Sequence, residues 1–197
     1  MKFLFDLGGV FFDWSPRHFF KKVFSTSKEM EFFLLNVCND EWNLMQDAGR
    51  SIANGEKELI SKFPQYQKEI KMYYSNHRKM IKGIFPNSIR ILKKLKKLGF
   101  ESYVLSNWSA ETFEGMEEEY LFLKLFDGFI ISGREKLIKP DRKIYELAIK
   151  RFNLNPNNTV FIDDKLDNIK TAVSLGFNTI HLLNPNTIYA DIDKYLN

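Results

Sequence analysis

The sequence predicts an α/β fold, a parallel sheet interrupted after its first strand by a helical insertion. Three observations predict it. Short apolar runs ending in polar residues recur along the chain, amphipathic helical patterns lie between the later ones, and a charged, aromatic stretch with helical spacing separates the first run from the rest. The first run is Lys2–Asp6. The others are Glu101–Ser106, Asp127–Ser132 with its Gly-Phe-Ile-Ile core, Thr159–Asp163, and Asn178–Leu182. Each has strand length and is rich in β-branched or aromatic residues, as strands covered on both faces should be. Ser88–Leu98 sets Ile91, Leu92, Leu95 and Leu98 on one helical face, and Gly99 supplies a stop. Asp141–Phe152 groups Ile144, Leu147 and Ala148, and Asp167–Leu175 ends at Gly176. Between Ser15 and Ile84 no buried strand is visible. Phe19, Phe20, Val23 and Phe24, then Met30, Phe33, Leu34 and Val37, repeat at helical intervals.

Composition narrows the class. The 197 residues are 44% hydrophobic and 27% charged, with few Gly (10) and Pro (6), which excludes a disordered or collagen-like chain. The lone cysteine, Cys38, excludes an intramolecular disulfide and a cysteine-only metal site. The net charge of +4 is small for this length. The lysines at 93, 94, 96 and 97 are read as the solvated face of a helix, so no nucleic-acid partner is expected. Asp6 and Asp13 break up the apolar start too early for a signal peptide, and no window approaches the roughly 18 apolar residues of a membrane helix. A soluble, cytoplasmic protein with no membrane partner is expected. The excess of Phe, 19 residues, favours an aromatic core or pocket.

The chemistry sits at strand ends. In a parallel sheet the C-terminal ends share one edge, and ligands bind in the crevice there. Asp6, Ser106 and Asp163-Asp164 close three of the runs, and Lys139-Pro140-Asp141 follows another. Three carboxylates, a hydroxyl and an ammonium suit phosphoryl transfer. The carboxylates bind Mg²⁺ and one attacks, while the cation and hydroxyl hold phosphoryl oxygens. Gly8-Gly9 lets the backbone approach an anion.

These segments, Phe5-Asp6-Leu7-Gly8-Gly9-Val10, Leu105-Ser106-Asn107, Lys139-Pro140-Asp141 and Phe161-Ile162-Asp163-Asp164 with Asn168, resemble in order the four motifs of the haloacid dehalogenase-like hydrolases. The likeness is strongest to their sugar-phosphatase-like branch with a small helical cap, which includes α-D-glucose-1-phosphate phosphatase-like enzymes. It implies a Rossmann-like core, residues 1–14 and 85–197, and a helical cap, residues 15–84. It also implies Asp6 as a nucleophile that forms an aspartyl-phosphate, with Ser106 and Lys139 on the phosphoryl group and Gly9 and Asn107 beside the substrate. Asp6, the Gly8 carbonyl, Asp164 and Asp163 would hold Mg²⁺. Asn168 would orient metal-bound water or the loop.

Gly8 departs from the pattern, because most phosphatases of the superfamily place a second Asp there as general acid and base, a function worth about 10²–10⁴-fold in rate. Some phosphatases of the branch share the glycine. Asp13 is either a substitute or a turn residue. Three readings follow: a Mg²⁺-dependent phosphatase of a small phosphorylated metabolite, such as a sugar phosphate; a 2-haloacid dehalogenase, which needs no acidic pair at the fourth motif; and a non-catalytic relative that binds phosphorylated metabolites. In the cap region, Trp42, Asp47 and Arg50 either face the substrate or serve the cap, with Trp42 in its core and Arg50 paired to Asp47 or Glu56. Arg17 and His18 either bind an anion or lie on the surface. Trp108 walls the pocket or anchors its loop. His77 and His181 show no constellation.

Overall fold

Lys2–Phe5 is a strand whose side chains alternate between two fully buried faces, which forces it into the middle of a covered sheet. In the computed structural model, which describes residues 1–196, it does lie there. β1 (Lys2–Phe5) and β2 (Phe12–Trp14) precede the helices α1 (Pro16–Phe20), α2 (Ser27–Asn36), α3 (Asp40–Asp47), α4 (Ile52–Lys62) and α5 (Gln67–Ser75), then β3 (Ile81–Ile84). Helix and strand then alternate through α6 (Pro86–Lys97), β4 (Glu101–Ser106), α7 (Ala110–Phe113), α8 (Met116–Glu119), β5 (Gly128–Ile131), α9 (Ser132–Glu135) and α10 (Arg142–Arg151). The chain finishes through β6 (Thr159–Asp163), α11 (Leu166–Ser174), β7 (Asn178–His181) and α12 (Ile188–Asp193). The five-stranded sheet runs β5-β4-β1-β6-β7, all parallel, so the predicted α/β fold is present.

The alternation of β1 divides the core in two. Phe3 and Phe5 join Ile91, Leu92 and Leu95 of α6 and Val104, Val160 and Ile162 on one face. Leu4 joins Leu105 and Phe161, with Ile144 and Ala148 of α10 and Ile169 and Ala172 of α11, on the other. Part of the aromatic excess lies under the first loop. Phe11 meets Phe5, Phe122 and Phe126 with ring centroids 5.4–5.6 Å apart. Its N–H donates to Leu7 O at 2.7 Å, so the aromatic cluster fixes the loop that carries Asp6.

Helices α1–α5 bury a separate cluster, in which Phe20, Phe33, Trp42, Ile70 and Tyr73 pack together. Their ends are capped as such sequences allow, with a Thr26–Glu29 capping box on α2 and Asn39 and Ser51 on α3 and α4. An antiparallel ribbon of β2 and β3 joins these helices to the sheet. The sequence pattern shows no buried strand between Ser15 and Ile84, where β3 lies. β3 has three exposed residues out of four, so it carries no apolar alternation to read. The short helix α12, which packs Ile188 and Ile192 into the sheet's core, is a further element outside the predicted set.

Replacing Phe11 by Ala, at a fully buried position, should lower unfolding free energy by about 3–5 kcal/mol. Urea denaturation monitored by circular dichroism measures it.

Candidate active site

The order of strands puts β1 between β4 and β6, so Asp6, Ser106 and Asp163 emerge side by side. Asp6 continues the ladder, its N–H donating to Ile162 O at 2.9 Å. Ser106 Oγ donates to Asp6 Oδ1 at 2.6 Å. The Lys139 ammonium lies 3.0 Å from the same oxygen and 2.7 Å from Asp163 Oδ2. Both partners therefore occupy Oδ1, and Oδ2 is left for chemistry. Asp163 is fully committed: Oδ1 accepts from the Lys165 N–H (2.8 Å), and Asn168 Nδ2 reaches both oxygens at 2.9 Å.

Asp164 is different. The residue is half-buried, but its Oδ1 is buried and has no hydrogen-bond partner among the described residues. One oxygen each from Asp6, Asp163 and Asp164 lie within 4.8 Å of one another. Hard oxygen donors converging around an unpartnered carboxylate oxygen fit a cation of the Mg²⁺ class. Burial, then Asp6, then Asp163 push the Asp164 carboxyl up to about 6. Burial also raises Asp6, against the pull of Lys139. Burial works against the charge on Lys139, but Asp163 and Asp6 outweigh it, so its pKa is raised and it stays an ammonium.

Gly9 and Asn107 both line the cavity, but their amides already have partners within the protein. Gly9 does not present its amide to an anion, because that N–H donates to Phe12 O at 3.0 Å. Its requirement is steric: φ is +68°, and a Cβ there would sit 2.5 Å from Asp164 Oδ2. Asn107 does not offer its side-chain amide to a substrate either. Nδ2 donates to Lys139 O (2.9 Å) and Oδ1 accepts from the Lys139 N–H (2.8 Å), so Asn107 clamps the lysine's backbone. Asn168 holds Asp163 and, through its carbonyl, accepts from Tyr145 Oη at 3.0 Å.

The site opens into a cavity of about 460 Å³. Trp14, His77 and Trp108 contribute to its wall, and α3 reaches it through Asp40, Glu41, Asn43, Leu44 and Asp47. Asp13 is not among the lining residues; it pairs with His18 at 2.8 Å. Arg17 reaches the rim, but Glu31 holds its guanidinium through two bonds. Trp42 belongs to the helical cluster, donating to Gly55 O. Arg50 pairs with Glu58 and Gln46 rather than with Asp47 or Glu56. Trp108 both lines the cavity and packs on Phe12 and Phe113. His181 supports the Asp164 carbonyl at 3.0 Å. The sequence reading passed over Lys165, Trp14 and His77 as site residues. Lys165 adjoins the acidic pair and was open to detection, whereas His77 carries no local signal.

Comparison with known proteins agrees with this geometry. Residues 3–176 match the haloacid dehalogenase-like hydrolase family. The chain is a haloacid dehalogenase-like hydrolase. It is 26% identical to the sesquiterpene phosphatase astK of Aspergillus oryzae over 91% of this chain and 88% of that one. It is 29% identical to (S)-2-haloacid dehalogenase 4A of Burkholderia cepacia, over 50% of this chain and 42% of that enzyme. Among solved structures, a family hydrolase from Porphyromonas gingivalis superposes with TM-score 0.77 at 22% identity, covering 100% and 97% of the two chains. A family enzyme from Bacteroides thetaiotaomicron, solved with magnesium and inorganic phosphate, gives 0.70 at 23% identity, covering 91% and 92%. No helix of the described residues is long and apolar enough to cross a membrane.

Asp164 titrates near 6 when folded and near 4 when unfolded. The folded form therefore keeps a proton that the unfolded chain has lost in between. The stability this group contributes is full below about pH 4 and is lost as pH rises through 6. Mg²⁺ should offset that loss. At ten times its Kd it should add about 1.4 kcal/mol, or about 3–6 °C in Tm, at neutral pH. Scanning calorimetry with and without Mg²⁺ should show this shift in the native protein and not in Asp164→Asn.

Proposed function

We propose that this hydrolase is a Mg²⁺-dependent phosphatase of a small phosphorylated metabolite, a sugar phosphate, acting through an aspartyl-phosphate on Asp6. The carrying observation is the carboxylate trio with the buried Lys139 ammonium and the unpartnered Asp164 oxygen. Three buried or half-buried carboxylates repel unless a second cation joins Lys139, and substitution at a carbon–halogen bond needs no such cation. Coverage supports the same reading, since the phosphatase relative aligns along 91% of the chain and the dehalogenase along 50%.

In this reading Asp6, Asp164 and the Gly8 carbonyl would hold Mg²⁺, with Asp163, which also pairs with Lys139, as a second or water-mediated ligand. When bound, the ion supplies charge neutralisation for the phosphoryl oxygens. Asp6 Oδ2 attacks phosphorus, while Ser106 and Lys139 hold the other oxygen and fix the line of attack. Ser106 and Lys139 then donate to the phosphoryl oxygens as Asp6 becomes an acyl phosphate. Residues 15–84 act as a cap that closes the cavity and excludes water from the intermediate.

The cavity supports a hydroxylated substrate. Its volume suits a monosaccharide phosphate. Trp14 and Trp108 give aromatic faces, and Trp14 Nε1, Trp108 Nε1 and His77 Nδ1 are buried with no hydrogen-bond partner among the described residues. Burial lowers His77 to about 4, so it is a neutral hydrogen-bonding group at pH 7. Asp40, Asn43 and Arg17 at the rim suit hydroxyls better than a terpene chain.

The protein should release phosphate from a sugar-phosphate panel in Mg²⁺ and lose this activity in chelator. Asp6→Asn should lower kcat by at least about 10³-fold. Chloride release from 2-chloropropionate that persists in chelator would contradict the reading and favour the dehalogenase.

A further inference from the structure

Cleaving an alkyl phosphate requires a proton for the departing oxygen, and Gly8 leaves the first loop without a carboxyl to provide it. The structure does not close that position, since a Cβ on Gly8 would meet nothing within 4 Å. The proton must come from elsewhere on the cavity wall. The lining carboxyls are Asp6, Asp40, Glu41, Asp47 and Asp164. Asp6 is the nucleophile and Asp164 the metal ligand in the proposed reading. Asp40 and Glu41 are exposed at the start of α3. Asp47, the last residue of that helix, is half-buried and faces the catalytic loops. His77 is neutral near pH 7 and has no proton of imidazolium type to give.

Resting on the phosphatase reading, we propose that Asp47 is the general acid and base of this enzyme, supplied by the helical insertion in place of a residue on the first loop.

The position of Asp47 is built rather than incidental. Its carbonyl accepts from Ser132 Oγ at 2.6 Å, and the same hydroxyl accepts from the Trp108 N–H at 2.9 Å. One buried serine thus ties the end of α3 to the loop that follows Ser106. The next turn presses on α9: Gly49, at φ +96°, approaches so closely that a Cβ would sit 2.9 Å from Lys136 Cγ and 3.1 Å from Gly133 O. The Asp47 carboxylate accepts from Asn43 Nδ2 at 3.2 Å and from the Ser109 amide.

Its surroundings also hold a proton near neutrality. Burial pushes the Asp47 carboxyl up to about 7, with Lys165 pulling down and Asp6 adding to the rise. The phenols of Tyr73 and Tyr74 on α5 also lie within its field and are neutral at this pH. A group half-protonated at pH 7 can serve both halves of the reaction. In the first, Asp6 Oδ2 bonds to phosphorus, the bond from phosphorus to the leaving oxygen breaks with its electron pair on that oxygen, and the Asp47 proton completes the alcohol. In the second, water attacks phosphorus and gives a proton to Asp47, and the pair of the breaking acyl-phosphate bond returns to Asp6. The products are one alcohol and one inorganic phosphate, and both carboxyls regain their starting states.

The test compares an alkyl substrate, glucose 6-phosphate, with p-nitrophenyl phosphate, whose leaving group needs no proton. Asp47→Asn should lower kcat on glucose 6-phosphate by about 10²–10⁴-fold. With p-nitrophenyl phosphate it should retain a rapid burst approaching one nitrophenolate per enzyme, because the first step is spared and the second stalls. The limb of the kcat–pH profile near 7 should disappear. Adding Gly8→Asp to Asp47→Asn should restore turnover, which a merely structural role for Asp47 does not predict. In the native protein, carbon-detected NMR should find the Asp47 carboxyl titrating near 7, and a value near 4 would overturn the proposal even if the variant misfolds. Equal loss on both substrates with no burst, or no loss, also overturns it. A native protein inert toward both phosphates overturns the phosphatase reading and this proposal together; an active one whose pH profile survives Asp47→Asn overturns this proposal alone.

Discussion

The Lys139 ammonium, fully buried between Asp6 and Asp163, is the constraint on which the rest of the site depends. Removing such a charge from water costs several kcal/mol, recovered only if its partners are fixed and hydrogen-bonded. The structure meets that condition from several directions. Asn107 clamps the lysine's backbone, Asn168 and the Lys165 amide saturate Asp163, and Ser106 shares Asp6 Oδ1. The result is a carboxylate, Asp6, with one oxygen pinned and the other available. It also leaves a surplus of negative charge at Asp164 that a cation can relieve.

The sheet follows from the same demand. Asp6, Ser106 and Asp163 meet because β1 lies between β4 and β6, and β1 takes that place because Phe3, Leu4 and Phe5 must all be covered. The aromatic cluster at Phe5, Phe11, Phe122 and Phe126 then stiffens the loop from Asp6 to Phe12. The helices between residues 16 and 75 make their own core and bring Asp47 to the cavity through one hydroxyl, Ser132 Oγ. The core carries the carboxylate trio and Lys139, and the insertion adds a polar wall to the same cavity.

How much of this was legible depends on where each residue finds its partner. β4 and β6 are readable to the residue because both their faces are buried, so apolar runs end where the strands end. β3 is exposed and pairs only with β2, so no periodicity marked it. Asp6, Ser106, Lys139 and Asp163 were readable as polar residues at or beyond strand ends. The tasks of Gly9 and Asn107 were not, because each is set by a distant residue: the Asp164 carboxylate that fills the space of a Cβ, and the Lys139 backbone that occupies an amide. Asp47 stood out as part of a polar-aromatic stretch, but its approach to the site depends on Ser132, 85 positions away.

The central claim is that Asp6, poised by Lys139 and Ser106, takes the phosphoryl group itself. Mixing the protein with a turned-over phosphate ester in Mg²⁺, quenching in acid and mapping peptides by mass spectrometry tests it directly. The account predicts one phosphoryl group on the peptide containing Asp6, absent from Asp6→Asn. Phosphate release with Asp6 unmodified, or a phosphoryl group on another residue, would contradict it.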